Sequence, residues 1–99
     1  MSEKVLVVGL SVTGSACAQY LSKGYDVYLT DSKAESEQDK ELLDKLRSLG
    51  VNFEFGSHSE DFIKGAKFAI ISPSIPQDAD ILKLLEKNSI EYFSDIEFV

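Results

Sequence analysis

One stretch limits the possible folds more than any other. Residues 4–14 read Lys-Val-Leu-Val-Val-Gly-Leu-Ser-Val-Thr-Gly. An apolar run from Val5 to Val8 ends at Gly9, and a turn of small and polar residues carries the chain to Gly14. Ser-Ala-Cys-Ala-Gln-Tyr-Leu follows, which suits a helix. The run does not alternate, so it predicts a strand buried on both faces, as at the centre of a parallel sheet. A strand, a tight turn and a helix start in this order point backbone N–H groups at a phosphate.

The remaining chain continues the alternation. The spacing predicts a helix over 14–23, with Cys17 and Leu21 on its inner face and Gly24 as its stop. Val27–Thr30 reads as a second strand closing on Asp31. Ser36 is the expected N-cap of a second helix, in which Leu42, Leu43, Leu46 and Leu49 recur at helical spacing before Gly50. Val51–Phe55 is a third strand. Residues 56–66 form a connector with one helical turn at 61–64, and Phe68–Ile71 is another uninterrupted apolar strand. Asp78 is the expected cap of a helix that buries Ile81, Leu82, Leu84 and Leu85, and residues 90–93 make a fifth strand.

Strands alternating with helices demand right-handed crossovers and a parallel sheet. The expectation is an α/β, Rossmann-like domain over residues 1–99. Its five parallel strands take the order 3-2-1-4-5, with helices on both faces. The topological switch then lies between strands 1 and 4, where such folds place ligands. The loops after strand 1 (10–14), strand 2 (31–35) and strand 4 (72–76) are expected to line one crevice.

Composition narrows what that crevice can take. Ten basic residues against 17 acidic ones leave a net charge of −7, which disfavours nucleic acid, whose binding needs a basic face. An acidic protein can still hold an anion at a helix N-terminus assisted by one lysine. No stretch approaches the roughly 18 apolar residues of a membrane span. Met1 to Lys4 leads directly into the first strand, so no signal peptide is expected. The single cysteine, Cys17, permits no intrachain disulfide and reads as a core residue. The single histidine, His58, has no cysteine or second histidine beside it, so no metal site is expected. No Ser-His-Asp set and no G-x-x-x-x-G-K-[ST] phosphate loop occurs, so no catalytic residue is assigned.

Three loops carry the remaining signal. Gly9-Leu10-Ser11-Val12-Thr13-Gly14 matches G-x-G-x-x-G with serine in place of the middle glycine, the residue that lets a dinucleotide pyrophosphate approach the backbone. Asp31, 17 residues beyond Gly14, stands where an acid accepts hydrogen bonds from a ribose. NAD is the first reading there, and a base or ribose of another nucleotide is equally compatible. Lys33 can offset a phosphate. Ser72-Pro73-Ser74-Ile75-Pro76 is a rigid, hydrogen-bonding loop directly after a buried strand.

Taken together with Thr30-Asp31-Ser32 and the ending Ser94-Asp95-Ile96-Glu97-Phe98, these loops resemble the N-terminal domain of the Mur ligases, most closely the D-glutamate-adding (MurD-type) branch. The resemblance covers the whole chain in order. It implies a Rossmann-like domain that holds the UDP part of UDP-N-acetylmuramoyl-L-alanine. The ATP and Mg sites would lie in a central domain and the amino-acid site in a C-terminal one, neither within these 99 residues. The implied reaction activates the substrate carboxylate as an acyl phosphate, which the amine of D-glutamate attacks, in the cytoplasm, during peptidoglycan precursor synthesis. Carried over residue by residue, the UDP contacts fall on Ser11, Val12, Thr13 and Gly14, on Asp31, Ser32 and Lys33, and on Ser72, Pro73 and Ser74. The family usually has glycine where this chain has Ser11 and Ser74. The resemblance further implies a monomer without a cofactor of its own, inactive in ligation by itself. Two alternatives stay open: an NAD(P)-type dinucleotide module, and a Mur-like domain that has lost its ligand.

Overall fold

The computed structural model describes residues 3–10, 12–31, 34, 36, 38–56, 59–72 and 80–94. Its elements are β1 (Glu3–Val8), α1 (Val12–Leu21), β2 (Tyr25–Asp31), α2 (Lys40–Ser48), β3 (Asn52–Phe55), α3 (Glu60–Ile63), β4 (Phe68–Ile71), α4 (Asp80–Lys87) and β5 (Glu91–Ser94). One sheet holds all the strands in the order β3-β2-β1-β4-β5, each pair parallel. This is the order expected from the alternation.

The unbroken apolar run of β1 follows from its place at the centre. Val5 and Val7 point to one face, where they meet Cys17, Ala18 and Leu21 of α1, Leu46 of α2, and Val27, Leu29 and Ile70 of the neighbouring strands. Leu6 and Val8 point to the other face, against Ile63 of α3 and Ile81, Leu82 and Leu85 of α4. A strand with water on either face would have to alternate, and this one has none. Cys17 is buried, as expected of a core residue.

Two local expectations are corrected. The N-cap of α2 is Asp39 and not Ser36, and the helix starts later. The Asp39 backbone is extended, and its Oδ1 accepts from the N–H groups of Glu41 (3.0 Å) and Leu42 (3.4 Å). A carboxylate there also opposes the positive end of the helix dipole, which a serine does not. Leu49 is not on the buried stripe. It is the C-cap, 44% exposed, and the chain turns away at Gly50 with φ 87°. The Gly50 and Val51 N–H groups donate back to the carbonyls of Arg47 and Leu46, closing the helix in a Schellman motif. Leu84, expected in the buried side of α4, is half-buried. The Asp78 cap, His58 and residues 95–98 lie outside the described residues.

The end of α4 repeats this motif with a serine. Ser89 and Ile90 donate to the carbonyls of Glu86 and Leu85, and Ser89 takes φ 58°. A left-handed backbone strains any residue with a Cβ. Ser89→Gly is therefore expected to stabilise the fold by about 0.5–1 kcal/mol after the extra chain entropy of glycine is subtracted. A urea midpoint that falls in this variant would contradict the assignment of strain.

Candidate functional site

The switch in strand order places β1 between β2 and β4, and the carboxyl ends of all three lie side by side. In register, Val8 stands opposite Thr30 on one side and Ile71 on the other. A backbone hydrogen bond crosses each seam at this level. The Gly9 N–H donates to the Thr30 carbonyl at 2.8 Å, and the Ser72 N–H donates to the Val8 carbonyl at 2.9 Å. The chain leaves the sheet at Gly9, which is buried and has φ 95°. That angle suits glycine, and it lets the backbone turn within one residue toward α1.

The next residue is tied by a side chain. The Leu10 N–H donates to Oδ2 of Asp31 at 2.7 Å. The main-chain carbonyl of Asp31 accepts from Gly56 at 3.0 Å, so the loop after β3 is fastened to the same residue. Beyond Leu10, α1 begins at Val12, so the positive end of its dipole follows closely on the carboxyl end of β1. Gly14 and Ser15 are buried in that first turn, which brings the helix close to the sheet. Ser72 is 3% exposed, so the start of the loop after β4 is part of the packed floor.

The structure thus gathers Gly14, Asp31 and Ser72 at one end of the sheet. Ser11, Ser32, Lys33, Pro73 and Ser74 lie outside the described residues, as do the side chains of Val12 and Thr13. The Leu10 N–H, the Thr30 carbonyl and Gly56 were not expected as parts of the site. All three act through the backbone, which carries no residue signature, and only the third offered a clue in sequence, as a glycine directly after β3.

Among the described residues, the groups with displaced pKa values sit elsewhere. Burial pushes Lys4 down, where its Nζ donates to the Lys64 carbonyl at 2.9 Å and lies 4.2 Å from the Tyr28 ring centre. Lys67 is pushed up by its hydrogen bond to Glu3, 2.8 Å away. Lys4 stands near the amino end of β1 and Lys67 directly precedes β4, at the end of the sheet away from Val8, Asp31 and Ser72. Among the described residues no group of His, Cys, Asp and Glu could hold a metal ion, and no helix is long and apolar enough to cross a membrane.

Comparison with known proteins adds an independent line. Residues 3–94 match the family described as Mur ligase MurD-like, N-terminal domain. A UDP-N-acetylmuramoylalanine--D-glutamate ligase from Thermoanaerobacter pseudethanolicus is 33% identical over 96 residues, 97% of this chain and 21% of that protein. The ligase of the same name from Cytophaga hutchinsonii is 37% identical over 99 residues, 99% of this chain and 21% of that protein. The chain therefore spans about a fifth of the length of these curated relatives. Among solved structures, a pseudomurein peptide ligase type C from Methanothermus fervidus superposes with a TM-score of 0.79 at 32% identity, over 98% of this chain and 20% of that one.

Proposed function

The chain belongs to the MurD-like N-terminal domain family of the Mur ligases, and on that premise we propose that it holds the UDP moiety of UDP-N-acetylmuramoyl-L-alanine for a D-glutamate-adding ligase. The observation that carries the reading is the meeting of three strand ends, at Val8, at Thr30–Asp31 and at Ile71–Ser72, in front of the first turn of α1. A nucleoside diphosphate has a neutral end and an anionic end. The carboxylate of Asp31 suits the hydrogen-bond donors of base or ribose, and the positive end of α1 suits the diphosphate. The proposed contacts are Ser11, Val12, Thr13 and Gly14, then Asp31, Ser32 and Lys33, then Ser72, Pro73 and Ser74.

In the complete ligase, ATP and Mg would be bound by other domains. Transfer of the γ-phosphoryl group to the substrate carboxylate would release ADP, and attack by the D-glutamate amine would form the amide and release phosphate. The proposed setting is the cytoplasm, in peptidoglycan precursor synthesis, with the domain as a monomer. The 99 residues would bind nucleotide without forming the amide bond themselves.

Titration of the 15N-labelled chain with UDP tests this. Amides of residues 9–15, 30–34 and 71–75 are expected to shift with a Kd of about 1 mM or below, worth some 4 kcal/mol, while NADH leaves them in place. Shifts with NADH and none with UDP would favour a dinucleotide module. Silence toward both would favour a domain that has lost its ligand. In that case Ser11→Gly with Ser74→Gly should restore UDP binding if the two hydroxyls block the site.

A further inference from the structure

We infer that Asp31 is a positioning residue of the nucleotide site, one that holds the glycine turn in its receiving shape by taking the Leu10 N–H. The ligand part of this inference rests on the proposed nucleotide reading. The tether itself does not.

The geometry makes the case. β1 and β2 pair in register up to Val8 and Thr30. The Gly9 N–H completes the ladder on the Thr30 carbonyl. One residue later the backbone has turned off the sheet, because Gly9 takes φ 95°, and the main-chain carbonyl of Asp31 is engaged by Gly56. The Leu10 N–H is met instead by Oδ2 of Asp31, 21 residues away in sequence, at 2.7 Å. The carboxylate extends the β1–β2 ladder by one rung after the two backbones have parted. A hydrogen bond to a charged acceptor is short and roughly twice as strong as a neutral one, so this rung is well able to fix the turn that follows Gly9.

Two consequences follow. The Leu10 N–H is already engaged in the free protein, so a bound anion is met by donors further along, in the first turn of α1. The loops after β1 and β3 share one anchor, since Asp31 receives Leu10 through its side chain and Gly56 through its backbone.

The test compares Asp31→Ala, Asp31→Ser and Asp31→Asn with the parent chain. Amide exchange is measured without ligand, and UDP affinity by titration. In the Ala and Ser variants the Leu10 amide is expected to exchange about tenfold faster, the loss of one charge-assisted bond, while Val5–Val8 keep their protection. UDP affinity should fall by a similar factor. Asn retains one acceptor oxygen, so it should restore Leu10 protection and bind UDP about threefold more tightly than Ala, without regaining any contact that needs the second carboxylate oxygen. The Ser variant stands in if Ala does not fold.

Unchanged Leu10 exchange in the Ala and Ser variants would overturn the tether. Equal loss of UDP binding in Asn and Ala, with Leu10 still protected in Asn, would overturn the positioning role and leave direct contact with the ligand. Failure of the parent chain to bind UDP would count against the proposed function alone, because the exchange measurement reads the tether with no ligand present.

Discussion

Leu6→Ala is expected to remove most of the stability of this domain. Leu6 has no exposed surface and lies mid-way along the central strand, opposite Tyr28 on one side and Ala69 on the other. Its side chain belongs to the cluster in which α3 and α4 meet the sheet, with Ile63, Ile81, Leu82 and Leu85 around it. Truncation of a buried leucine costs about 2–5 kcal/mol, with the upper values where the surroundings cannot collapse into the space. Here they cannot do so easily, because the backbone beneath is hydrogen-bonded on both edges. A domain of this size has about 5–15 kcal/mol in total and belongs toward the lower end. In urea the midpoint should fall by roughly 1 M or more, given a slope of about 1–3 kcal/mol/M. A loss below about 1 kcal/mol would mean that the two helices pack on the sheet more loosely than described.

The second large effect is expected at Gly9. Its φ of 95° lies well outside what residues with a Cβ adopt, and it is buried. Gly9→Val adds a branched side chain at a buried position whose left-handed backbone disfavours any Cβ. Strain of this kind costs about 1–3 kcal/mol. The functional effect is expected to be larger than the loss of stability. If the backbone relaxes toward ordinary angles, the N–H groups of Gly9 and Leu10 leave Thr30 and Asp31 together, and the start of α1 moves with them. Binding of UDP should become undetectable in a variant that is still folded at 25 °C. Gly24→Ala is the matched control: nothing lies within 4 Å of the added methyl, and the backbone there is not left-handed. It should change neither binding nor stability by more than a few tenths of a kcal/mol. Normal UDP binding by a folded Gly9→Val chain would show that the ligand does not depend on this turn.

The sheet order was legible because apolar continuity carries topological information. Val5–Val8 and Phe68–Ile71 are unbroken runs, and only inner strands of a two-sided sheet need them. The short outer strands were legible mainly through the helices between them. The cap of α2 was not, since Ser36 and Asp39 are both good capping types and the choice depends on where the chain enters the helix. Leu49 misled for a related reason: it keeps the period of the buried stripe, but the helix closes one residue before it. At the site, Asp31 stood out as a side chain at a strand end. Its partner did not, because a backbone N–H at Leu10 has no signature in sequence and is brought near only by the register of β1 on β2. The burial of Ser72 was hidden in the same way, within a loop whose composition reads as exposed.

The strand order also decides how copies of this domain behave toward one another. β3 and β5 are the outermost strands, so each turns one edge of its backbone away from the sheet. Open edges invite strand-to-strand addition and, with it, aggregation. Both strands are only four residues long, and each carries a glutamate, Glu54 in β3 and Glu91 in β5. Two molecules approaching edge to edge would bring carboxylates together on chains that already bear a net charge of −7 each. Glu54 is in addition held in place by the N–H and hydroxyl of Ser59, both at 2.6 Å. The same short, acidic borders that contribute little to the core therefore keep a sticky parallel sheet from growing past its own ends.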